Sequence, residues 1–250
     1  MQAVILCGGK GTRLASLYSD RPKILVPIAN RPFIEWQFEW LGRQGIKEIH
    51  LAGGYMADAL RTWINEHLDT GVSPVGTGVS PVRVSSFLFS VSLSIEPLPL
   101  GTGGGLKYIA PWLIGGQFLA INGDSITPEL NFSRLVLAQQ QSGAAITIAV
   151  SKINEAGRYG TVEFGDDGRI GAFREKADHS NGWINAGVYL IGKQALDAIP
   201  ENRCVSLETE TFPALVERGL LYATPCPPPM LDMGTPAGIG ALEHWLTQSG

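Results

Sequence analysis

Short apolar runs alternate, along the first 150 residues, with longer segments whose apolar positions recur every three or four residues. The short runs have the length and β-branched content of buried strands, and the longer segments have the spacing of amphipathic helices. The predicted strands are residues 3–7, 48–53, 117–122 and 144–150, and the predicted helices are residues 32–44, 56–68 and 133–142. Because strands and helices alternate, we expect an α/β fold with a mixed, mostly parallel sheet flanked by helices.

The pattern changes after residue 150. Residues 159–164 alternate apolar and polar positions, residues 165–168 have turn composition, and residues 169–174 continue the alternation, which predicts a β-hairpin. Residues 183–191 predict a third strand. These elements indicate a small, strand-rich lobe.

Residues 71–75 are repeated as residues 78–82, and an apolar and serine-rich run then extends to residue 95. Two copies are too few for a repeat architecture, so we interpret the stretch as a variable loop followed by an edge strand. The whole chain, residues 1–250, is predicted to be one domain. Its first part covers about residues 1–150, and the strand-rich lobe covers about residues 151–230.

Composition excludes several classes of function. The 250 residues are 44% hydrophobic and carry a net charge of −4, which suits a large buried core and disfavours nucleic acid or an anionic membrane as partner. Neither a membrane-spanning run nor a basic leader followed by an apolar segment is present in the sequence. The three cysteines (Cys7, Cys204 and Cys226) have no pairing or zinc spacing, so we expect a cytoplasmic protein with Cys7 as a small buried residue.

A glycine-rich turn follows the first predicted strand. Glycines at positions 8, 9 and 11 allow positive φ and close approach of a ligand, so the turn is either an ordinary loop or a nest of N–H groups for an anion. A P-loop is excluded because Gly11 follows Lys10 where Ser or Thr is required. A dinucleotide fingerprint, and with it a nicotinamide-dependent oxidoreductase, is excluded because Leu14 occupies the third glycine position.

The turn, with Arg13 and Lys23, resembles the signature of the sugar-1-phosphate nucleotidyltransferase family. Five further stretches resemble that family's motifs in the same order: residues 96–104, 122–124, 173–176, 185–189 and 231–236. The family's usual Pro-Leu-Thr after the turn is replaced by Ser16-Leu17-Tyr18. The resemblance implies a Rossmann-like fold of the nucleotide-diphospho-sugar transferase type with a sugar-binding lobe. It also implies transfer of a nucleoside monophosphate from an NTP to a sugar 1-phosphate.

The resemblance also implies roles for individual residues. The nucleotide-binding residues are Leu6, Gly8, Gly9, Gly11, Thr12, Glu96, Gly101 and Thr102. The sugar-phosphate-binding residues are Gly160, Thr161, Glu175, Lys176 and Asn185. The catalytic residues are Arg13, Lys23 and Asp124, and the ligands of a Mg²⁺ cofactor are Asp124 and Asp232. The attacking phosphate oxygen is already ionised, so the chemistry needs charge neutralisation and positioning rather than a general base.

Glu96 favours GTP as the nucleotide. A carboxylate accepts from both the N1–H and the N2 amine of guanine, whereas thymine or uracil matches an amide. Residues 206–213 and 231–236 most resemble the branch that activates D-glycero-D-manno-heptose 1-phosphate with GTP, and mannose- and glucose-1-phosphate enzymes are close neighbours. Two alternatives stay open: a catalytically inactive regulatory or binding subunit of the family, and a glucose-1-phosphate thymidylyl- or uridylyltransferase. A homo-oligomeric state also stays open.

Overall fold

The structure, a computed structural model, describes residues 1–9, 11, 14, 17–67, 80–153, 161–174 and 182–248. The strands of these residues are β1 (Gln2–Cys7), β2 (Pro27–Ile28), β3 (Arg31–Pro32), β4 (Glu48–Gly53), β5 (Ser80–Val84), β6 (Phe87–Ile95), β7 (Gln117–Asn122), β8 (Ser125–Ile126), β9 (Ile146–Ile153), β10 (Thr161–Phe164), β11 (Ile170–Arg174), β12 (Gly182–Gly192), β13 (Leu221–Cys226) and β14 (Leu231–Asp232). The α-helices are α1 (Phe33–Arg43), α2 (Ala57–His67), α3 (Gly101–Tyr108), α4 (Phe132–Ser142), α5 (Phe212–Glu217) and α6 (Pro236–Gln248). A π-helical turn covers Leu207–Thr211 and precedes α5.

The chain forms two compact units. The first unit contains Met1–Pro99, Ile121–Ile126 and Leu231–Gly250, and the second contains Leu100–Ala120 and Thr127–Met230. Both units are therefore discontinuous in sequence. The division into a nucleotide-binding part and a sugar-binding lobe near residue 150 stays a prediction.

The first unit contains a sheet in which β1, β4 and β6 are parallel neighbours and β5 pairs antiparallel with β6. Cys7 is in register with Gly53, and Gly53 is in register with Ile95. The three parallel strands consequently end at the same edge of the sheet. In open α/β sheets this carboxyl edge is where ligands bind.

Helix α1 packs its apolar face into the core of the first unit. Phe33, Ile34, Phe38 and Leu41 recur at helical spacing and are completely buried. The ring of Phe38 lies 5.6 Å from that of Phe89 on β6. Each such burial stabilises the unit by roughly 1.5–3 kcal/mol, so the position of α1 is firmly set.

The second unit has a different strand arrangement. Strand β9 pairs antiparallel with β12 and parallel with β13, while β10 pairs antiparallel with β11 and β12. The predicted hairpin is confirmed from residue 161 onwards, and residues 159 and 160 lie outside the described residues. Its turn closes with Gly168 at a φ of +82°, a conformation that glycine adopts readily.

The predicted α/β fold with a mixed, mostly parallel sheet is confirmed, and the predicted strands and helices of the first 150 residues are present with shifts of three residues or fewer. The stretch to residue 95 contains the predicted edge strand, β5, and in addition an inner strand, β6, which lies between β4 and β5. The serines of β6 have partners inside the protein, since Ser92 and Ser94 hydrogen-bond the two ring nitrogens of the buried His50. Among the described residues, no helix has the length and apolarity needed to cross a membrane.

Candidate active site

Lys23 and Asp124 form an ion pair in the first unit. The Lys23 Nζ atom lies 2.5 Å from Asp124 Oδ2, and the two side chains are 17% and 37% exposed. Lys23 begins a short 3₁₀ helix, whose next residues, Ile24 and Leu25, are buried and anchor it. The pair joins positions 101 residues apart, so two predicted site residues are brought together by the fold.

Helix α1 holds the turn that carries Asp124 through hydrogen bonds from one of its side chains. Gln37 is completely buried, and its Nε2 donates to the carbonyl oxygens of Asn122 and Ser125 at 2.8 and 2.9 Å. These carbonyls lie on either side of Asp124. The Gly123 N–H also donates to Leu6 O of β1 at 3.1 Å, and a Cβ on Gly123 would lie only 2.6 Å from that oxygen. The backbone of this turn is therefore fixed at both ends.

Asp232 lies on the strand next to this turn. Strand β14 pairs antiparallel with β8, with Asp232 opposite Ser125, and the Met233 N–H donates to Asp124 O at 2.9 Å. The Asp232 Oδ1 atom accepts from the Gly234 N–H. The two predicted metal ligands are thus carried on adjacent backbone segments of the first unit.

The glycine-rich turn contacts Lys23. Gly11 has a φ of +58°, and a Cβ placed on it would lie 3.4 Å from the Lys23 Cβ. A Cβ placed on Gly9 would meet nothing within 4 Å. In the described part of the turn, the backbone at Gly9 is therefore open to an approaching ligand. Gly11 instead packs against the aliphatic part of the Lys23 side chain.

Glu96 follows β6 and turns its carboxylate towards the turn after β1. A Cβ on Gly8 would lie 3.2 Å from Glu96 Oε1. The Glu96 N–H donates to Gly53 O at 3.0 Å, which fixes the start of its side chain. The structure therefore brings together the predicted nucleotide-binding residues of strands β1 and β6.

In the second unit, Gly101 and Thr102 open helix α3 against the π-helical turn. Gly101 has a φ of +72° and lies too close to Val205 O for a side chain, since a Cβ there would be 2.5 Å from that oxygen. The Thr102 hydroxyl donates to Glu208 Oε2 and accepts from the Leu207 N–H, both at 2.8 Å. The hydroxyl's proton and one of its two lone pairs are used inside the second unit, so the Thr102 side chain helps to shape this loop.

Thr161 and Asn185, also in the second unit, lie near each other because Thr161 pairs with Ile184. Asn185 begins a bulge in β12: its Oδ1 accepts from the Gly187 N–H, and its Nδ2 donates to the Tyr189 hydroxyl. Bulges of this kind re-aim side chains next to functional sites. The five remaining predicted site residues lie outside the described residues: Thr12, Arg13, Gly160, Glu175 and Lys176.

Burial makes Cys7, Cys226 and His50 unsuitable as nucleophiles or proton carriers at neutral pH. Burial raises the pKa of the Cys7 thiol far above its usual range and that of Cys226 to about 11, so both stay protonated. Burial lowers the pKa of His50 to about 4, and serines occupy both its ring nitrogens. A cation paired with one carboxylate, with a second carboxylate on the adjacent backbone segment, suits phosphoryl chemistry, which needs no side-chain nucleophile.

Two residues of this site were not found from the sequence. Gln37 could have been recognised as a polar residue on the buried face of an amphipathic helix, a position that requires a hydrogen-bond partner. Gly54, which follows β4, gave no sequence signal. Its importance comes only from its distance to Glu96, since a Cβ there would lie 2.4 Å from Glu96 Oε1.

Comparison with known proteins gives a consistent result. Residues 2–245 match the family described as nucleotidyl transferase. The chain is 32% identical over 225 residues to D-glycero-alpha-D-manno-heptose 1-phosphate guanylyltransferase of Campylobacter jejuni, covering 89% of this chain and 91% of that protein. It is 35% identical over 240 residues to the mannose-1-phosphate guanylyltransferase catalytic subunit beta of Danio rerio, covering 94% of this chain and 62% of the relative.

Comparison with solved structures also finds a nucleotide-binding relative. The crystal structure of HddC from Yersinia pseudotuberculosis complexed with GMP-PN superposes with a TM-score of 0.82 and 26% identity. The match covers 98% of this chain and 99% of that one.

Proposed function

We propose that this chain, which belongs to the nucleotidyl transferase family, transfers a guanylyl group from GTP to a sugar 1-phosphate, with D-glycero-D-manno-heptose 1-phosphate as the favoured acceptor. An oxygen of the sugar phosphate attacks the α-phosphorus of GTP, and a new P–O bond forms. The bond from that phosphorus to the β-phosphate oxygen breaks, and pyrophosphate leaves with the electron pair. The products are a GDP-sugar and pyrophosphate.

The observation that carries this proposal is the Lys23–Asp124 pair with Asp232 on the neighbouring strand. Two polyanions repel each other, so their reaction requires positive charge and fixed positions more than acid–base catalysis. Lys23 supplies a cation held by the fold beside the glycine-rich turn. We assign Lys23 to the α-phosphate and Arg13 to the β- and γ-phosphates, where its planar fork fits two oxygens. We assign Lys176 to the sugar phosphate.

Asp124 and Asp232 fit a Mg²⁺ ion. The Asp124 carboxylate already accepts a cationic group, the Lys23 ammonium, at 2.5 Å. No group of three or more His, Cys, Asp or Glu side chains with metal-binding geometry occurs among the described residues, but Mg²⁺ needs only one or two carboxylates when phosphates and waters complete its shell. When bound, Mg²⁺ would neutralise charge on the phosphates.

Glu96 supports GTP as the nucleotide. Its carboxylate is held at the strand edge against Gly8, where it can accept from the two adjacent donors of guanine. We assign Leu6, Gly9, Gly11, Thr12, Gly101 and Thr102 to the nucleotide as well. We assign Gly160, Thr161, Glu175 and Asn185 to the sugar pocket. Heptose 1-phosphate is favoured because residues 206–213 and 231–236 most resemble the heptose branch of the family, and a heptose 1-phosphate guanylyltransferase is 32% identical over 89% of this chain.

The Lys23–Asp124 pair, with Asp232 on the adjacent backbone segment, counts against a catalytically inactive subunit, which has no need of this arrangement. We place the activity in the cytoplasm, because all three cysteines are free in the structure and two of them are buried thiols.

A substrate panel tests the proposal. Purified protein is incubated with Mg²⁺, one of GTP, ATP, UTP, dTTP or CTP, and one of heptose, mannose or glucose 1-phosphate, and pyrophosphate release is measured. We expect release with GTP and heptose 1-phosphate to exceed that with every other pair, and we expect EDTA or omission of the sugar phosphate to abolish it. Release with no pair would overturn the enzymatic function, and preference for dTTP or UTP would overturn the assignment of Glu96.

A further inference from the structure

Three residues follow directly after three neighbouring strands. Gly8 comes after β1, Gly54 after β4 and Glu96 after β6, and the last residues of these strands are in register. The backbone remains tied beyond the strands, since the Tyr55 N–H donates to Gly8 O at 3.3 Å. The outermost of the three, Glu96, has a side chain long enough to reach back across the other two.

The Glu96 carboxylate does reach across them. A Cβ on Gly54 would lie 2.4 Å from Glu96 Oε1 and 3.1 Å from Glu96 Cδ, and it would lie 2.8 Å from the Gly8 Cα. A Cβ atom essentially never lies this close to an atom to which it is not bonded. The carboxylate therefore occupies the space that a side chain at position 54 would fill.

The requirement for glycine at position 54 is one of space. Eight glycines in the described residues have a positive φ, and Gly54 is absent from that set. Its backbone conformation is thus open to other residues, and only the missing Cβ makes glycine necessary. This separates Gly54 from Gly11 and Gly101, which need glycine for their conformation.

We propose that Gly54 is a specificity-determining residue: by leaving room for the Glu96 carboxylate, it holds that carboxylate in the orientation that selects guanine. This inference rests on the proposed function and deepens it. Guanine presents N1–H and the N2 amine side by side in one plane, so both carboxylate oxygens must lie in that plane to accept from them. A carboxylate held in place before binding loses less entropy than a freely rotating one, which increases selectivity.

The test substitutes Gly54→Ala and compares GTP with ITP, which keeps N1–H but lacks the N2 amine. We expect the ratio of kcat/KM for GTP to that for ITP to fall by about tenfold, because the displaced carboxylate no longer accepts from both donors. The GTP/ITP ratio is the readout because a Cβ at position 54 would also press on Gly8 Cα in the glycine-rich turn, and any effect on the triphosphate is the same for GTP and ITP. Gly240→Ala is the matched control, since a Cβ at position 240 in α6 meets nothing within 4 Å.

A double-variant cycle separates an effect through Glu96 from a general distortion. Glu96→Gln is made in the original chain and in Gly54→Ala, and the GTP/ITP ratio is measured for all four proteins. We expect Gly54→Ala to change the ratio strongly when Glu96 is present and by less than twofold when it is replaced. Independent, multiplying effects would overturn the inference. If Gly54→Ala is too unstable for kinetics, Gly54→Ala/Glu96→Asp is compared with Glu96→Asp, and equal ratios are expected because the shorter carboxylate vacates the space.

The outcomes of these experiments test the role of Gly54 separately from the proposed guanylyltransferase function. A chain that prefers GTP, with the same GTP/ITP ratio in Gly54→Ala, would overturn the role of Gly54 and leave the proposed function standing. A chain that releases no pyrophosphate with any NTP would overturn the proposed function itself. An unchanged ratio in Glu96→Gln would overturn both the reading of the base by Glu96 and the role of Gly54.

Discussion

Asp124 meets a cation that comes from a distant part of the chain, and its charge is the one on which the proposed chemistry depends most directly. Lys23 lies 2.5 Å away and more than a third of the Asp124 side chain is exposed, so the carboxylate is both held and accessible. Any divalent ion bound here has to share Asp124 with Lys23 or displace it.

Asp124→Asn removes the negative charge while keeping the shape of the side chain. We expect turnover to fall by about 100-fold or more and Mn²⁺ affinity to fall by at least about tenfold, because a neutral amide is a poor ligand for a hard cation. Pyrophosphate release measures the first, and electron paramagnetic resonance of free Mn²⁺ measures the second. Asp197→Asn, at an exposed position in the second unit, should change neither. Near-normal turnover and metal binding in Asp124→Asn would show that the metal binds elsewhere.

At the level of residues, the sequence motifs identified the charged side chains of the site but not the residues that position them. Asp124 and Glu96 lie in motifs that resemble those of the family, so both could be assigned to the site from the sequence. Gln37 acts through two hydrogen bonds to backbone carbonyls, and Gly54 acts through the absence of a Cβ atom. Both depend on distances between segments that no spacing along the chain encodes.

Among the elements, helix α1 has a second role beyond covering the sheet. Its apolar face is interrupted by Gln37, whose amide bonds the carbonyl oxygens on either side of the Asp124 turn. Because α1 is itself firmly packed, these hydrogen bonds fix the position of the two-residue turn between β7 and β8.

Gln37→Leu tests this coupling. We expect the free energy of unfolding to fall by about 2–3 kcal/mol, because two backbone carbonyls lose their partner, and turnover to fall by about tenfold as Asp124 becomes mobile. Urea unfolding and pyrophosphate release are the measurements. Gln139→Leu is the matched control, a buried glutamine of α4 in the second unit, and it should leave turnover unchanged whatever it does to stability. Unchanged turnover in Gln37→Leu would mean that α1 does not set the position of Asp124.

The strands of the first 150 residues were predictable wherever their residues were apolar. In the stretch to residue 95 the sequence predicted one edge strand, whereas the structure has an edge strand, β5, and an inner strand, β6, with serines at alternate positions. Two of those serines face His50, whose ring nitrogens complement their hydroxyls. A buried polar cluster between strands has the same sequence pattern as a solvated strand, and only the pairing partner distinguishes them.

For the molecule as a whole, the His50 cluster links stability to pH. Burial lowers the pKa of His50 to about 4, below the value of about 6.5 in an unfolded chain. Between about pH 6.5 and pH 4, His50 therefore binds a proton in the unfolded state but not in the native state. Stability from this residue is complete above pH 6.5 and is lost as the pH falls towards 4.

Replacement of His50 should flatten that dependence. Between pH 7 and pH 5 we expect the original chain to lose about 2 kcal/mol more of its free energy of unfolding than His50→Gln does. Urea unfolding at pH 7, 6 and 5 measures the difference, and most carboxylates stay ionised in this range. His244→Gln, at an exposed position, should keep the original slope. Equal slopes for His50→Gln and the original chain would show that His50 takes up its proton equally in both states.

The first unit is assembled from three separate stretches of chain, and this has a consequence for synthesis. Lys23 and Asp124 are synthesised before Asp232, which follows Asp124 by 108 positions. Strand β14 can pair with β8 only after Asp232 has been added. A growing chain therefore carries only one carboxylate of the proposed metal site until then, and the two-carboxylate site arises when β14 pairs.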